Sequence, residues 1–139
     1  MIVIKQKHHF SSSHKLFNPS WTEEQNKKVF GPCANENWHG HNFELIVGVK
    51  GEPDNESGFV INPEKLNSLV QDKVIVKVDH KNLNLDVPFM KDKIASCENL
   101  IIEFWKILYP EVNRIDRNAR LNHLRLYETP RNFVDYYGD

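Results

Sequence analysis

The chain has 139 residues, with 18 lysines and arginines against 19 aspartates and glutamates and a formal net charge of -1. That near balance excludes a general nucleic-acid binder, which carries a basic excess, yet leaves room for a small anionic substrate met by a local cationic patch. A hydrophobic fraction of 40% over this length fits one domain, residues 1–139, with a real core.

No apolar run approaches the ~20 residues that span a bilayer. The opening MIVIKQKHHF turns polar too soon for the core of a signal peptide. A cytoplasmic protein is expected, with no membrane or nucleic-acid partner. In that reducing compartment Cys33 and Cys97 are expected as free thiols.

In chain order, Ile2 to Phe10 alternates loosely and reads as a first strand, ending where Ser11–Ser13 and His14 begin. The polar stretch between Pro19 and Pro32 carries Thr22 and Gln25 at capping-box spacing, which predicts a short helix. A second strand follows from about His41 through FELIVGVKG. Pro53, Asp54, Asn55 and Gly58 then break the chain before GFVIN, which suggests a hairpin. Asn62 and Pro63 open a helix with Leu66, Leu69 and Val70 on one face, stopping near Val76 where β-branched residues accumulate. A long polar loop, DHKNLNLDVPFMKDK, leads to Ser96, which caps a second long helix ending before Pro110. LNHLRLYET and NFVDYYG read as a last strand pair joined through Pro130. The expected fold is α+β: a four-stranded antiparallel sheet with two helices on one face.

The chemistry concentrates in CANENWHGHNF, Cys33 to Phe43. On extended backbone His39 and His41 point to the same face, so both imidazoles can converge on one ion. A catalytic zinc takes three protein ligands, and His14 is the natural third if the first two strands are neighbours. On spacing alone a polar, histidine-rich loop explains the same residues. Cys33 is then equally a reactive thiol or a small buried apolar side chain.

Five stretches in matching order and separation then narrow the reading: FSSSHKL, EEQNKKVFGPCANENWHGHNF, DHKNLNLDVPF, SCENL and YET. Through them the chain resembles the 6-pyruvoyl-tetrahydropterin synthase family nearly end to end. The resemblance implies the tunnelling fold, with subunits assembled in a ring as a homohexamer of two stacked trimers. It implies Zn2+ held by His14, His39 and His41, a catalytic Cys33, and a catalytic pair, Asp79 and His80. It places the pterin-anchoring glutamate at Glu128, with Glu98 and Cys97 beside the substrate. Cys97 stands where the family pattern expects threonine, and Trp38 where a small residue is usual, so that Trp38 would narrow or line the pocket. His8, His9 and His123 are expected as structural or surface residues. Lys27, Lys28 and Lys81 are candidates for triphosphate contact.

The residue types suit that chemistry. A dication on side-chain oxygens acidifies neighbouring C–H bonds, and a thiolate can remove such a proton. A carboxylate beside an imidazole fixes its tautomer and raises its basicity. The implied reaction eliminates triphosphate from 7,8-dihydroneopterin triphosphate to give 6-pyruvoyl-tetrahydropterin. The alternative is the 6-carboxy-tetrahydropterin synthase of queuosine biosynthesis, which releases acetaldehyde. Cys33 precedes His39 by six positions, the spacing associated with the pyruvoyl enzymes. A non-catalytic zinc and pterin-binding protein, and a hydrolase using zinc-bound water, are the competing classes.

Overall fold

In the computed structural model, which describes Met1–Asp139, the chain runs β1 (Ile2–His14), α1 (Glu23–Phe30), β2 (His39–Gly51), α2 (Pro63–Val70), α3 (Val76–Val78), β3 (Lys81–Asn82), α4 (Cys97–Ile115), β4 (Arg120–Tyr127) and β5 (Phe133–Tyr136). The sheet order is β3-β1-β2-β4-β5. Its four long neighbours β1, β2, β4 and β5 pair antiparallel, as expected. The two-residue β3 adds a fifth strand, parallel to β1 at Ser12 and Ser13.

That small strand explains why β1 continues past Phe10 to His14. Ser11–Ser13 pair with Asn42–Gly40 on one side. On the other side His80 N–H donates to Ser11 O (2.7 Å) and Leu83 N–H to Ser13 O (2.8 Å). The Ser12 hydroxyl donates to Val78 O at 2.6 Å. With both backbone edges occupied, three serines hold strand geometry that their propensity alone would not favour.

The GFVIN segment forms no strand. Asp54 instead gathers the turn, its Oδ1 accepting from Glu56 N (3.0 Å) and Ser57 N (2.8 Å), and Gly58 supplies φ 78°. Val60 and Ile61 are buried in the core from a loop. Apolar character had signalled burial, which a strand and a core-lining loop share.

α2 starts as expected, with Asn62 Oδ1 accepting from Glu64 N at 2.9 Å and Lys65 N at 3.2 Å. It passes through a wide π turn, Gln71–Ile75, into α3. The extra residue of that turn resets the helical phase, so Val74, Ile75 and Val78 all reach the core. α4 is capped by Ser96, whose hydroxyl accepts from Asn99 N at 3.2 Å. It runs through Pro110 rather than ending before it. Proline removes one helical donor, but Lys106, whose carbonyl loses its partner, is exposed, while Val112 beyond it is fully buried. Burial of the far turn offsets the lost bond.

Both long helices cover one face of the sheet. Leu66 and Val70 of α2 and Leu100, Phe104 and Leu108 of α4 join Phe10, Phe43, Leu45, Val47, Leu124 and Leu126 in one continuous core. Each such side chain contributes about 1.5–3 kcal/mol on burial. The opposite face is uncovered and polar. There Arg125 grips Asp135 through Nε (2.7 Å) and a terminal nitrogen (2.9 Å), and the buried His123 lies 2.6 Å from the same carboxylate. His8 is buried on the core face between Gln6 and Gln71, whereas His9 is exposed beside Glu44. These three histidines are thus structural or surface residues, as expected.

Candidate active site and metal centre

Strand register assembles the histidines. His14 at the end of β1 lies opposite His39, Ser12 opposite His41, and Phe10 opposite Phe43. Alternation along a strand puts His14, His39 and His41 on the core face with the two phenylalanines. The stacked pair Phe10–Phe43, ring centroids 4.7 Å apart, therefore gives way at the sheet's end to three imidazoles. Leu124 and Leu126 of β4 share this face, and Glu128 follows two residues later at the same end.

One donor atom from each of His14, His39, His41 and Glu128 falls within a cluster 4.8 Å across. His14 Nδ1 lies 2.8 Å from Ala95 O and donates to it, so the neutral ring presents the lone pair of Nε2 to the cluster. The Nε2 atoms of all three histidines are buried without a hydrogen-bond partner. Burying one polar atom unpaired is costly, and three together are rare in a folded protein. A cation satisfies all of them at once. Imidazole and carboxylate donors at this number suit zinc, so the residues fit the ion that the sequence led one to expect.

Beside the cluster lies a cavity of about 550 Å³ lined by Cys33, Cys97, Glu98, Glu128 and Arg131 among others. Cys33 reaches it from a 3-10 turn, Gly31–Ala34, which opens on Gly31 at φ 57° and continues through Pro32. Leu16 N–H donates to Cys33 O at 2.8 Å, tying this turn to the end of β1. Ahead of it the Thr22 hydroxyl caps α1 by accepting from Gln25 N at 3.1 Å, one half of the expected capping box. Burial, and then the Glu128 carboxylate, push the Cys33 thiol above its ordinary range. Cys97 is pushed up further by the same two causes, and its S–H donates to Glu128 Oε2 at 3.2 Å. Both cysteines are free.

Asp79 and His80 do not open onto this cavity. Asp79 Oδ1 accepts from Ser11 N at 2.9 Å, and its Oδ2 lies 3.0 Å from His80 Nδ1, so the pair is formed. Adjacent residues can cooperate because His80 adopts φ 58°, in the left-handed region. The His80 ring is 84% exposed, and it lines a polar depression of about 490 Å³ with Ser11–Ser13, Gly40, Asn42 and the edge of His41, but not with Cys33. Ser11, Ser13, Gly40 and Asn42 belong to the uncovered face of the sheet. Within one chain the two halves of the expected catalytic set are apart.

Residues 3–139 match the family model described as PTPS, 6-pyruvoyl tetrahydropterin synthase. The chain belongs to the 6-pyruvoyl tetrahydropterin synthase family. A 6-pyruvoyl tetrahydrobiopterin synthase of Dictyostelium discoideum is 37% identical over 138 residues, 99% of this chain and 97% of that one. Its Homo sapiens counterpart is 36% identical over 130 residues, 94% of this chain and 87% of the relative. The solved structure of Caenorhabditis elegans 6-pyruvoyl tetrahydropterin synthase superposes with a TM-score of 0.89 at 32% identity, covering 99% of this chain and 96% of that one. The protein is an enzyme of this synthase type. No helix is long and apolar enough to cross a membrane.

Of the candidates for triphosphate contact, Lys27 and Lys28 sit on the exposed face of α1 and Lys81 lines the depression beside His80, so none of the three lines the Cys33 cavity. Arg131, which sequence reasoning passed over, is the one cationic residue that does. Its backbone N–H donates to Thr129 Oγ1 at 3.2 Å, as does that of Asn132 at 3.1 Å, so the turn after Glu128 is fixed. A cation two residues past the YET motif was the available signal. Trp38 is exposed and takes the Lys15 ammonium at 5.3 Å rather than lining the cavity.

Burial holds His8, His14 and His39 below the ordinary imidazole pKa, with like-charge neighbours adding to the effect. The unfolded chain therefore binds more protons than the folded one just below about pH 6.5, and stability rises with pH through that window. The metal-free protein is expected to lose thermal stability on acidification from about pH 7 to about pH 5. A melting midpoint that stays flat across this range would show these rings protonating in place.

Proposed function

We propose that this enzyme acts on 7,8-dihydroneopterin triphosphate as a zinc-dependent lyase, eliminating triphosphate to give 6-pyruvoyl-tetrahydropterin. The observation that carries the reading is the set of three buried, unpartnered imidazole nitrogens beside a cavity that holds both a thiol and a carboxylate. His14, His39 and His41 would hold the ion, which supplies Lewis acidity toward the hydroxyl oxygens of the substrate side chain. Glu128 accepts hydrogen bonds from the amino and ring N–H groups of the pterin, a planar contact that fixes the ring. Glu98, in the first turn of α4, and Cys97 border the same space.

Cys33 takes a proton from the side-chain carbon. Its thiol is held up partly by the Glu128 charge, so pterin N–H groups on Glu128 relieve that repulsion as the substrate seats. Asp79 orients His80, which returns a proton to the rearranging side chain. Because the pair faces away from the Cys33 cavity, it serves the site of a neighbouring copy. A shared site needs a neighbouring copy, and a homohexamer of two stacked trimers, the ring implied by the family resemblance, supplies one.

Arg131 meets the phosphate chain. Charge-assisted guanidinium–phosphate bonds are worth about 1.5–3 kcal/mol. Arg131→Ala is expected to raise KM for the triphosphate about 10- to 100-fold with kcat far less affected. An unchanged KM removes Arg131 from the substrate contacts.

The test is to incubate zinc-loaded protein with 7,8-dihydroneopterin triphosphate and identify products by mass spectrometry. A pyruvoyl pterin and triphosphate without acetaldehyde support the proposal. A carboxy pterin with acetaldehyde moves the enzyme to the queuosine branch, and bound but unchanged substrate makes it a pterin-binding protein.

A further inference from the structure

We infer that His8 is a positioning residue for the Asp79–His80 pair: its ring grips Gln71 at the start of the π turn, and that turn sets the phase in which the pair leaves α3 for the edge of β1. The inference rests on the reading of Asp79 and His80 as catalytic and extends it to a residue that touches neither.

His8 is buried on the core face of β1, in a row of hydrogen bonds with one consistent direction. Gln6 Nε2 donates to Pro63 O at 3.1 Å, so the amide turns its oxygen toward His8. His8 Nε2, 2.8 Å from that Oε1, therefore carries the ring proton and donates. Nδ1 is left bare in the neutral ring, and it accepts from Gln71 Nε2 at 3.1 Å. One strand thus ties both ends of α2, at Pro63 and just beyond Val70.

Gln71 is also where the helix widens. Its carbonyl accepts from Val76 N–H, five residues on, in place of the four-residue bond of an α-helix. At regular spacing Leu66, Leu69 and Val70 would be followed on the core face by Lys73 and Lys77. The extra residue puts Val74 and Val78 there, and both lysines are exposed. Wide turns are rare on their own. The two valines hold this one from the core, and His8 holds its first residue from the strand.

The same phase delivers the pair. Val78 O accepts from the Ser12 hydroxyl at 2.6 Å, Asp79 Oδ1 accepts from Ser11 N at 2.9 Å, and His80 N–H donates to Ser11 O at 2.7 Å. Ser11 and Ser12 lie three and four residues beyond His8 on β1. The strand therefore fixes both where the wide turn begins and where the chain must land after it. A turn relaxed to regular helix would rotate Asp79 by about 100° and part it from Ser11. Asp79 would then no longer orient His80.

Hydrogen exchange of the assembled, metal-loaded protein, read by mass spectrometry, tests the link without catalysis. His8→Leu fills core space but offers Gln71 no acceptor, whereas His8→Asn keeps one near the position of Nδ1. Residues 71–83 are expected to exchange about tenfold faster in His8→Leu and much less so in His8→Asn, with α4 equally protected in both. His8→Leu should lower kcat about 10- to 100-fold and leave KM nearly unchanged, as displacement of a reacting group does. Co-assembly then locates the defect. Mixed with Cys33→Ala chains, which bring an undisturbed Asp79–His80 pair, His8→Leu chains should recover activity. Mixed with His80→Ala chains they should not, because the only intact pair lies on the altered chain. Unchanged exchange over 71–83, faster exchange throughout the chain, or equal recovery in the two mixtures overturns the inference. So does an unchanged kcat in His8→Leu beside an inactive His80→Ala. A fully active His80→Ala removes the catalytic reading instead, and exchange alone then decides whether His8 places the pair.

Discussion

Replacing Cys33 by alanine is expected to lower kcat by about 10²–10⁴-fold, the range that a positioned proton acceptor supplies. Metal content should not change. Cys33 is carried by the Gly31–Ala34 turn and lies outside the four-residue cluster of His14, His39, His41 and Glu128, so removing its sulfur leaves every metal donor in place. Folding should also survive, because the side chain is only part-buried and its loop is anchored through backbone, by Leu16 N–H to Cys33 O at 2.8 Å. The variant therefore isolates proton transfer from metal binding. Steady-state kinetics beside a zinc assay measure both. Loss of turnover with full zinc supports the thiol as base, whereas full turnover on any ester or phosphate would favour a hydrolase working through metal-bound water. Cys33→Ser sharpens the point, since a hydroxyl of similar size has far too high a pKa to act as the base, and it should be nearly as inactive as alanine.

How much of this could be read from the sequence depends on the range of the interaction. His39 and His41 were legible because a period of two on extended backbone is a local property. His14 was legible only conditionally: it needed β1 beside β2 and the register that sets His14 opposite His39. The pattern of β1 itself suggested an end at Phe10, because Ser11–Ser13 owe their strand geometry to bonds donated by His80 and Leu83 and accepted by Asp79, residues about 68 to 70 positions away. Pro110 misled in the same way. A helix breaker by local rule, it is overruled by burial of Val112 two residues on. Glu128 was placed at the substrate by motif, but its approach to His41 arises from three strands meeting at one end of the sheet. No spacing along the chain encodes that. Arg131 was missed for a related reason, since a charged residue in a turn reads as solvent-exposed until a cavity is found beneath it.

The separation of Cys33 from Asp79 and His80 carries the other large effect. Cys33→Ala and His80→Ala, each expected to be nearly inactive alone, should recover activity when co-assembled. If every active site takes its thiol from one copy and its Asp79–His80 pair from a neighbour, random mixing in equal amounts leaves about one site in four with both residues intact. Co-expression with two different tags, followed by purification on both, yields the mixed assembly, and activity per subunit reads the fraction directly. The expectation comes from the topology. His80 hangs on the edge of β1 with its ring 84% exposed toward the uncovered face, while Cys33 opens into a cavity with Glu128 at the end of the helix-covered face. No side-chain rotation carries a ring across a sheet whose backbone groups are paired on both sides at Ser11–Ser13. A neighbour meeting that edge can deliver it. Mixed assemblies as inactive as their parents would mean that both residues act from one copy. In that case the left-handed backbone at His80, φ 58°, would have to serve a rearranged loop rather than a shared site.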